Sequence, residues 1–180
     1  VDQTEGFLPV DFSGVDAAPA REAELPGAVR SDYALVLGGG VSTGVASAVT
    51  FTHGFNAGLR SVGGPGAALS LAWLGDEEGP LHEWRLHLNA GFTWSLGQGK
   101  VRGQLGALAG GGLLNQAVSG APALRAGFVE LTPLVGVTAE LGARFGLWSE
   151  LELTAALYRR DARSTFSFLP AAWLGGSLRL

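Results

Sequence analysis

The chain has 180 residues, is 47% hydrophobic and 16% charged, and can form one folded domain rather than a disordered polymer. It contains no cysteine, which excludes disulfides and thiolate metal sites, and no apolar window of about 18 residues predicts a transmembrane helix. The net charge of −4 resides in residues 1–30, because acidic and basic residues balance in 31–180. No basic patch stands out, so we expect no nucleic-acid partner.

Residues 1–30 carry the acidic excess, three prolines and no sustained hydrophobic period. We predict that they form an N-terminal extension or linker, and that residues 31–180 form the folded domain. No secretory signal is visible at the start, and position 1 is not Met. We therefore expect a processed form or an excised fragment.

The segment His82–Leu96 alternates strictly between an apolar and a polar face, which predicts a long β-strand. Trp84 and Trp94 lie on its apolar face, ten residues apart. In a strand tilted by about 40° this spacing corresponds to roughly 25 Å along a barrel axis. That is about the height of the apolar band of a membrane barrel, which aromatic girdles border on both sides.

Seven further segments share this period of two, which gives eight strands in all. They are Tyr33–Thr43, Val49–Ser61, Ala67–Leu74, Val101–Leu114, Arg125–Leu141, Leu147–Tyr158 and Ser164–Leu180. Short, nearly uncharged connections alternate with longer or more charged ones, including 75–81, 115–122 and 159–163. The sequence therefore predicts an all-β, eight-stranded, antiparallel up-and-down transmembrane barrel. We expect a bulge at Pro133, because proline removes a ladder hydrogen bond.

Charged side chains on the polar faces are predicted to point into the lumen, where burial requires them to pair. The predicted lumen network is Arg60, Glu83, Arg85, His87, Arg102, Glu130, Glu140, Glu150, Glu152 and Arg179. Within it, Glu150 and Glu152 are expected to pair with Arg85 and Arg102. The glycine runs 38–40 and 110–112 lack a phosphate-loop frame and are expected to relieve crowding inside the barrel. The predicted aromatic girdle comprises Trp73, Trp84, Trp94, Phe166 and Phe168.

Three other readings stay open from the residues alone. A narrow gated pore would use the same lumen charges. A soluble ligand-binding barrel would invert the pattern, with apolar residues inside and polar residues outside. A lipid-modifying enzyme would need partners for His53, yet no serine or acid lies two residues from it on its face. His82 and His87 are five residues apart and face opposite sides, so no metal and no cofactor is expected.

The alternation in HEWRLHLNAGFTWSL and SELELTAALY, and the ending FSFLPAAWLGGSLRL, resemble the small outer-membrane barrels of the OmpA, OmpX and OmpW kind. Such barrels usually end in an aromatic residue, whereas this chain ends in Leu178–Arg179–Leu180. The resemblance implies a monomer in a Gram-negative-type outer membrane, surrounded by its lipids and assembled by the barrel-assembly machinery through the last strand. The resemblance does not specify an activity, because this fold hosts anchors, adhesins, small pores and lipid enzymes. Our own expectation is a non-enzymatic, structural role as an anchor or loop-display domain, with an extracellular protein at the loops as a candidate partner and residues 1–30 as a linker or periplasmic lead-in.

Overall fold

A computed structural model describes residues 32–45, 51–76, 81–118, 122–160 and 163–180, except for the side chains of Leu81 and Arg160. These residues form eight strands that pair in sequence order and close into one antiparallel barrel. The strands are β1 (Tyr33–Thr43), β2 (Phe51–Ser61), β3 (Pro65–Asp76), β4 (Leu81–Leu96), β5 (Val101–Val118), β6 (Leu124–Glu140), β7 (Phe145–Arg160) and β8 (Arg163–Arg179). The predicted fold class is confirmed. The expectation for residues 1–30 lies outside the described residues.

The side chains alternate between a polar lumen and an apolar outer surface, as the period of two predicts. In β4, Arg85, His87 and Asn89 are buried, whereas Leu86 and Leu88 between them are exposed. The other strands show the same tendency, which is weaker in the glycine-rich β5 and at the loop end of β8, and exposed leucine, valine and phenylalanine cover the outside. This is the reverse of a soluble ligand-binding barrel, so that alternative is wrong. The described residues contain no helix long and apolar enough to cross a membrane.

The two ends of the barrel differ in their connections. At the turn end, short turns at 62–64, 97–100 and 141–144 join the strands. Gly64, Gly97 and Gly99 have positive φ there, a conformation that glycine adopts without a steric penalty. At the loop end, the connections include 46–50, 77–80, 119–121 and 161–162, which lie outside the described residues.

Several strands extend further towards the loop end than the sequence predicts. Residues 115–118, expected in a loop, complete β5, and Gly75 and Asp76 complete β3. The expected loop 159–163 shortens to 161–162, because β7 runs to Arg160 and β8 starts at Arg163. The physical reason is cross-strand pairing: Gln116 lies opposite Leu124 and Arg160 opposite Arg163, and this pairing outweighs local loop-like composition. Positions 49 and 50 of the second predicted strand lie outside the described residues.

The bulge expected at Pro133 is wrong. Leu131 pairs with Ala155 and Leu134 with Glu152, so each strand contributes the same number of residues across the site. Only the pairing of residues 132 and 133 with β7 is interrupted, while β5 and β6 pair without a break. The missing proline N–H therefore weakens the ladder locally without inserting an extra residue.

The strands are strongly staggered around the barrel. The stagger can be measured by following directly paired residues from one strand to the next, from Leu35 on β1 to Phe168 on β8. The residues between them, one on each strand, are Leu59, Leu69, Ala90, Ala109, Leu131 and Ala155. Extending the β1–β8 register by three residues, from Ser42 opposite Ala171, brings Phe168 opposite position 45. One circuit thus shifts the register by ten residues, from 35 to 45. Side chains that meet across the lumen therefore come from different pairing rows.

Candidate functional site

The candidate site is the lumen, since all ten predicted network residues lie on the inner face of the wall. Arg60, Glu83, Arg85, His87, Glu130 and Glu150 are buried, whereas Arg102, Glu140, Glu152 and Arg179 are partly exposed. The structure divides them into separate clusters at successive heights rather than one continuous network. Their functional role remains a prediction.

Arg102 and Glu140 form a charged pair that spans the turn-end mouth. Arg102 donates from Nη2 to Glu140, from Nη1 to the Val62 carbonyl and from Nε to the Gly99 carbonyl. Arg179 Nη1 lies 3.5 Å from the same Glu140 oxygen. These contacts link three turns or strand ends across the opening. They place two guanidinium groups and one carboxylate at this mouth.

Further inside, Arg60 and Glu150 form a buried two-pronged ion pair. Arg60 donates from Nε to Glu150 Oε2 at 3.0 Å and from Nη2 to Oε1 at 2.8 Å. Its Nη1 donates to the Leu69 carbonyl at 2.6 Å. The guanidinium carbon lies 6.0 Å from the centre of the fully buried Trp148 ring. This layer fills the cross-section of an eight-stranded barrel, whose lumen is only wide enough for side chains.

Near mid-height, Glu130 is the acceptor for two neighbouring side chains. His87 Nδ1 lies 2.8 Å from Glu130 Oε1, and Asn89 Nδ2 donates to the same oxygen at 2.6 Å. The Phe128 ring packs on His87 and on Tyr158, with both centroid distances at 5.0 Å. An apolar cluster of Leu114, Ala126, Phe128, Ala156, Tyr158 and Leu169 occupies the lumen here.

Towards the loop end, the carboxylate of Glu83 binds the backbone just after β1. Its two oxygens accept from the Val45 backbone N–H at 3.0 and 3.1 Å, and Gln116 Nε2 donates at 2.9 Å. Arg85 Nε lies 3.2 Å from Glu83, and Arg85 Nη2 donates to Thr52 Oγ1 and the Thr43 carbonyl, both at 2.8 Å. The side chain of Val45 packs against the lumen cluster around Phe128. The start of the β1–β2 connection is therefore held at the loop-end mouth.

The expected pairing of Glu150 and Glu152 with Arg85 and Arg102 is wrong. Glu150 pairs with Arg60, and Glu152 accepts from Trp173 Nε1 at 2.8 Å. The stagger explains the difference. Arg60 lies opposite Ala34 on β1, whereas the row of Glu150 passes through Trp173 to Gly40, six residues further along. The depth of a side chain in the lumen therefore cannot be inferred from its position along its strand unless the register between the strands is known.

Trp148 is the main lumen residue that the sequence reasoning missed. It is fully buried and packs in an apolar cluster with Val36, Leu74 and Trp173. The period of two could have predicted its position, because Trp148 lies two residues before Glu150 and therefore on the same face. Thr132 and Thr154, which the alternation places on the inner face, are buried elsewhere in the lumen, with their hydroxyl oxygens 3.0 Å apart.

The described lumen leaves little free space. A cavity lined by Arg85, His87, Asn89, Glu152 and Trp173 offers water only about 10 Å³. Arg85 Nη1, His87 Nε2 and Asn89 Oδ1 are buried without a protein partner. This volume and these atoms match what a single buried water molecule requires. No group of three or more histidine or acidic side chains among the described residues is placed to hold a metal ion.

The five predicted girdle residues all point outward. Trp73 and Trp84 are close to the loop end, and Trp94 lies beside Pro65 at the turn end. The exposed rings of Phe166 and Phe168 contact each other edge to face on β8, with centroids 4.8 Å apart. Four further exposed rings, Phe51, Phe55, Phe92 and Phe145, were not predicted as members although they occupy outward positions.

A closed eight-stranded barrel with an apolar exterior and a charged, side-chain-filled lumen defines a class: it has the architecture of the small outer-membrane barrels of the OmpA/OmpX type. No protein-family model matches the chain, and no curated protein matches its sequence. Solved structures do match its fold. Neisserial surface protein A has a TM-score of 0.63 at 13% identity, covering 83% of this chain and 98% of its own.

Two more similar structures come from other bacteria. The N-terminal barrel domain of Pseudomonas aeruginosa OprF has a TM-score of 0.52 at 15% identity, covering 84% of this chain and 99% of that domain. Ail, the attachment invasion locus protein of Yersinia pestis, has a TM-score of 0.51 at 14% identity, covering 82% and 96%. The predicted resemblance to small outer-membrane barrels is thereby confirmed at the level of the fold.

Proposed function

We propose that this chain is a structural anchor in the outer membrane of a Gram-negative-type envelope, displays its loop-end connections at the cell surface and keeps its lumen closed. The observation that carries this proposal is the filled lumen inside an apolar wall. Side chains pack at every described height, from Arg102 and Glu140 through Arg60, Glu150 and Trp148 to Phe128 and Glu83. A wall of exposed leucine, valine and aromatic residues surrounds them and is suited to hydrocarbon.

The proposed orientation rests on the longest connection, residues 44–50 between β1 and β2, which lies at the loop end, although the β7–β8 connection there spans only 161–162. Outer-membrane barrels have short periplasmic turns and longer extracellular loops. The turns at 62–64, 97–100 and 141–144 would then face the periplasm, and the connections after β1, β3, β5 and β7 would face the outside. The similar structures include proteins named for surface location and for attachment and invasion. From these names we carry over only surface display, with an extracellular partner at the loops as part of the proposal.

The proposed role involves no catalysis. His53, the histidine that a lipid-modifying site would use, faces outward on β2. Its directly paired neighbours are Val41 and Gly75, which offer neither a nucleophile nor a carboxylate. For assembly, we propose that the barrel-assembly machinery reads β8, whose alternation continues to Leu178 and Arg179. The mature barrel is then a monomer surrounded by outer-membrane lipids.

Planar-bilayer recording separates the anchor from a pore. We expect the wild-type chain to insert, shown by heat-modifiable mobility on gels, and to give no steady conductance. The double substitution Arg60→Ala/Glu150→Ala removes the buried ion pair that fills the lumen and should introduce conductance. The matched double substitution Arg125→Ala/Arg159→Ala, on the outward face, should not. Steady conductance of the wild-type barrel would contradict the closed lumen, and full solubility without detergent would contradict membrane insertion.

A further inference from the structure

Among the described strand residues, charged side chains on the outer surface of the barrel have one sign. The six carboxylates of the described strands all lie on the inner face: Asp76, Glu83, Glu130, Glu140, Glu150 and Glu152. On outward-facing strand positions, the described residues with cationic or imidazole side chains are His53, His82, Arg125 and Arg159, all exposed. Each lies within three residues of the loop end of its strand. Among these described strand positions, the outward face therefore carries the two arginines at one rim and no carboxylate.

On β5 and β6 this rim borders the apolar outer surface. Five outward residues lie directly opposite one another across β2 to β6, namely His53, Gly75, Trp84, Asn115 and Arg125. The row two residues nearer the turn end is Phe55, Trp73, Leu86, Leu113 and Gly127, which is apolar apart from the tryptophan N–H. On β5 and β6 the outward surface thus changes from Leu113 and Gly127 to Asn115 and Arg125 within two residues, whereas the row as a whole follows the strand stagger and does not mark one depth.

The two arginines are neighbours on this rim. Tyr158 pairs with Phe128, so the next residue, Arg159, is in register with Gly127. Arg125 is two residues from Gly127 on the same face, and such diagonal neighbours are roughly 7–8 Å apart. Arg125 also lies opposite Asn115, an amide that can donate hydrogen bonds. Two long guanidinium side chains at this separation can hold one phosphate between them.

We propose that Arg125 and Arg159 bind the phosphate of a lipid head group in the leaflet that surrounds the loop end, while the acyl chains of that lipid lie against the outward band below them. The proposal rests on the membrane placement proposed above. Charge complementarity selects the occupant, because the described outward positions at this rim present guanidinium groups and no acid, whereas a lipid phosphate is anionic. Lipid rather than free phosphate is the ligand, because the apolar row beside Leu113 can contact acyl chains.

Native mass spectrometry of the full chain in detergent tests this site, with bisphosphorylated lipid A and its dephosphorylated form as probes. We expect the wild type to retain the phosphorylated form preferentially. Arg125→Gln/Arg159→Gln should weaken retention about tenfold, equivalent to about 1.4 kcal/mol. Arg163→Gln removes another exposed loop-end arginine, on the opposite face of its strand, and should change little. Excess inorganic phosphate should not displace the lipid.

Two results would overturn the proposal while leaving the barrel itself intact. One is equal retention of the two lipid forms by a wild type that inserts into vesicles and shows heat-modifiable mobility. The other is an equal loss in Arg163→Gln and in the double variant. Displacement by inorganic phosphate would show that the site recognises phosphate without the acyl contacts, which contradicts the choice of a lipid over free phosphate. Failure of the wild type to insert into vesicles is a separate outcome, which refutes the membrane placement and this site together.

Discussion

Gly40 offers a direct test of how tightly the lumen is packed, because Trp173 lies over it. A β-carbon added at Gly40 would be 2.3 Å from the ring carbon Trp173 Cε3 and 2.3 Å from the Ala172 carbonyl oxygen. Ordinary contact begins at 3.4 Å, so the ring would have to shift by 1.1 Å. It cannot do so freely, because its Nε1 donates to Glu152 at 2.8 Å. Overpacking of this kind costs about 1–3 kcal/mol.

We therefore expect Gly40→Ala to lower the free energy of unfolding by about 1–3 kcal/mol. The neighbouring substitution Gly39→Ala is the matched control, because its β-carbon would point outward and approach nothing closer than the Gly54 carbonyl oxygen at 3.7 Å. It should be neutral, or stabilise by about 0.4–1 kcal/mol through reduced freedom of the unfolded chain. Urea unfolding of the vesicle-inserted protein, followed by tryptophan fluorescence, measures both. Equal stabilities of the two variants would refute the packing described here.

Three further predictions concern other parts of the barrel. Glu150→Ala leaves the Arg60 guanidinium buried without its partner and should destabilise the barrel by about 3–5 kcal/mol in urea unfolding. Glu83→Ala removes the acceptor of the Val45 amide, so that amide should lose hydrogen-exchange protection in NMR spectra. Leu88→Arg places a charge at mid-strand on the outward face and should cost about 2–4 kcal/mol in vesicles.

Each of these has a matched control. Replacing both partners, as in Arg60→Met/Glu150→Leu, should recover most of the stability that Glu150→Ala loses, and no recovery would contradict the assigned pair. Glu140→Ala, at the opposite mouth, should leave the Val45 amide protected, so loss of protection there would argue against the Glu83 contact. Leu96→Arg lies at the turn end of β4 and should cost only about 0–1 kcal/mol. A cost equal to that of Leu88→Arg would contradict the depth assignment.

The sequence predicted the number of strands and the orientation of their faces, because both depend on a period of two that persists along the chain. In β4 a shift of one residue would move Arg85 and His87 to the other face and Leu86 to theirs, so the pattern fixes which residues share a face. Alternation does not say which face is outside; the membrane interpretation rests on the long strands, the outward tryptophans and the single lysine. The same reasoning applied to β7 would also have found Trp148. Once the polar face is assigned to the lumen, its members follow from local alternation.

Partners within the lumen could not be predicted in the same way. The pairing of Arg60 with Glu150 depends on a stagger of ten residues around the barrel, and that stagger is the sum of eight registers. The ends of the strands could not be predicted either. Residues 115–118 have a loop-like composition and are part of β5 because they pair with β4 and β6. The contact between Val45 and Glu83 joins residues 38 apart in sequence and leaves no local signal.

The central claim, an apolar wall in lipid around a closed polar lumen, is tested most directly by the tryptophans. Trp94 faces outward with half of its surface exposed, whereas Trp148 is fully buried in the lumen. In single-tryptophan variants reconstituted into vesicles that contain brominated lipids, fluorescence of Trp94 should be strongly quenched and that of Trp148 should not. Quenching of Trp148 by the lipid, or protection of Trp94 from it, would contradict the assigned faces of the barrel.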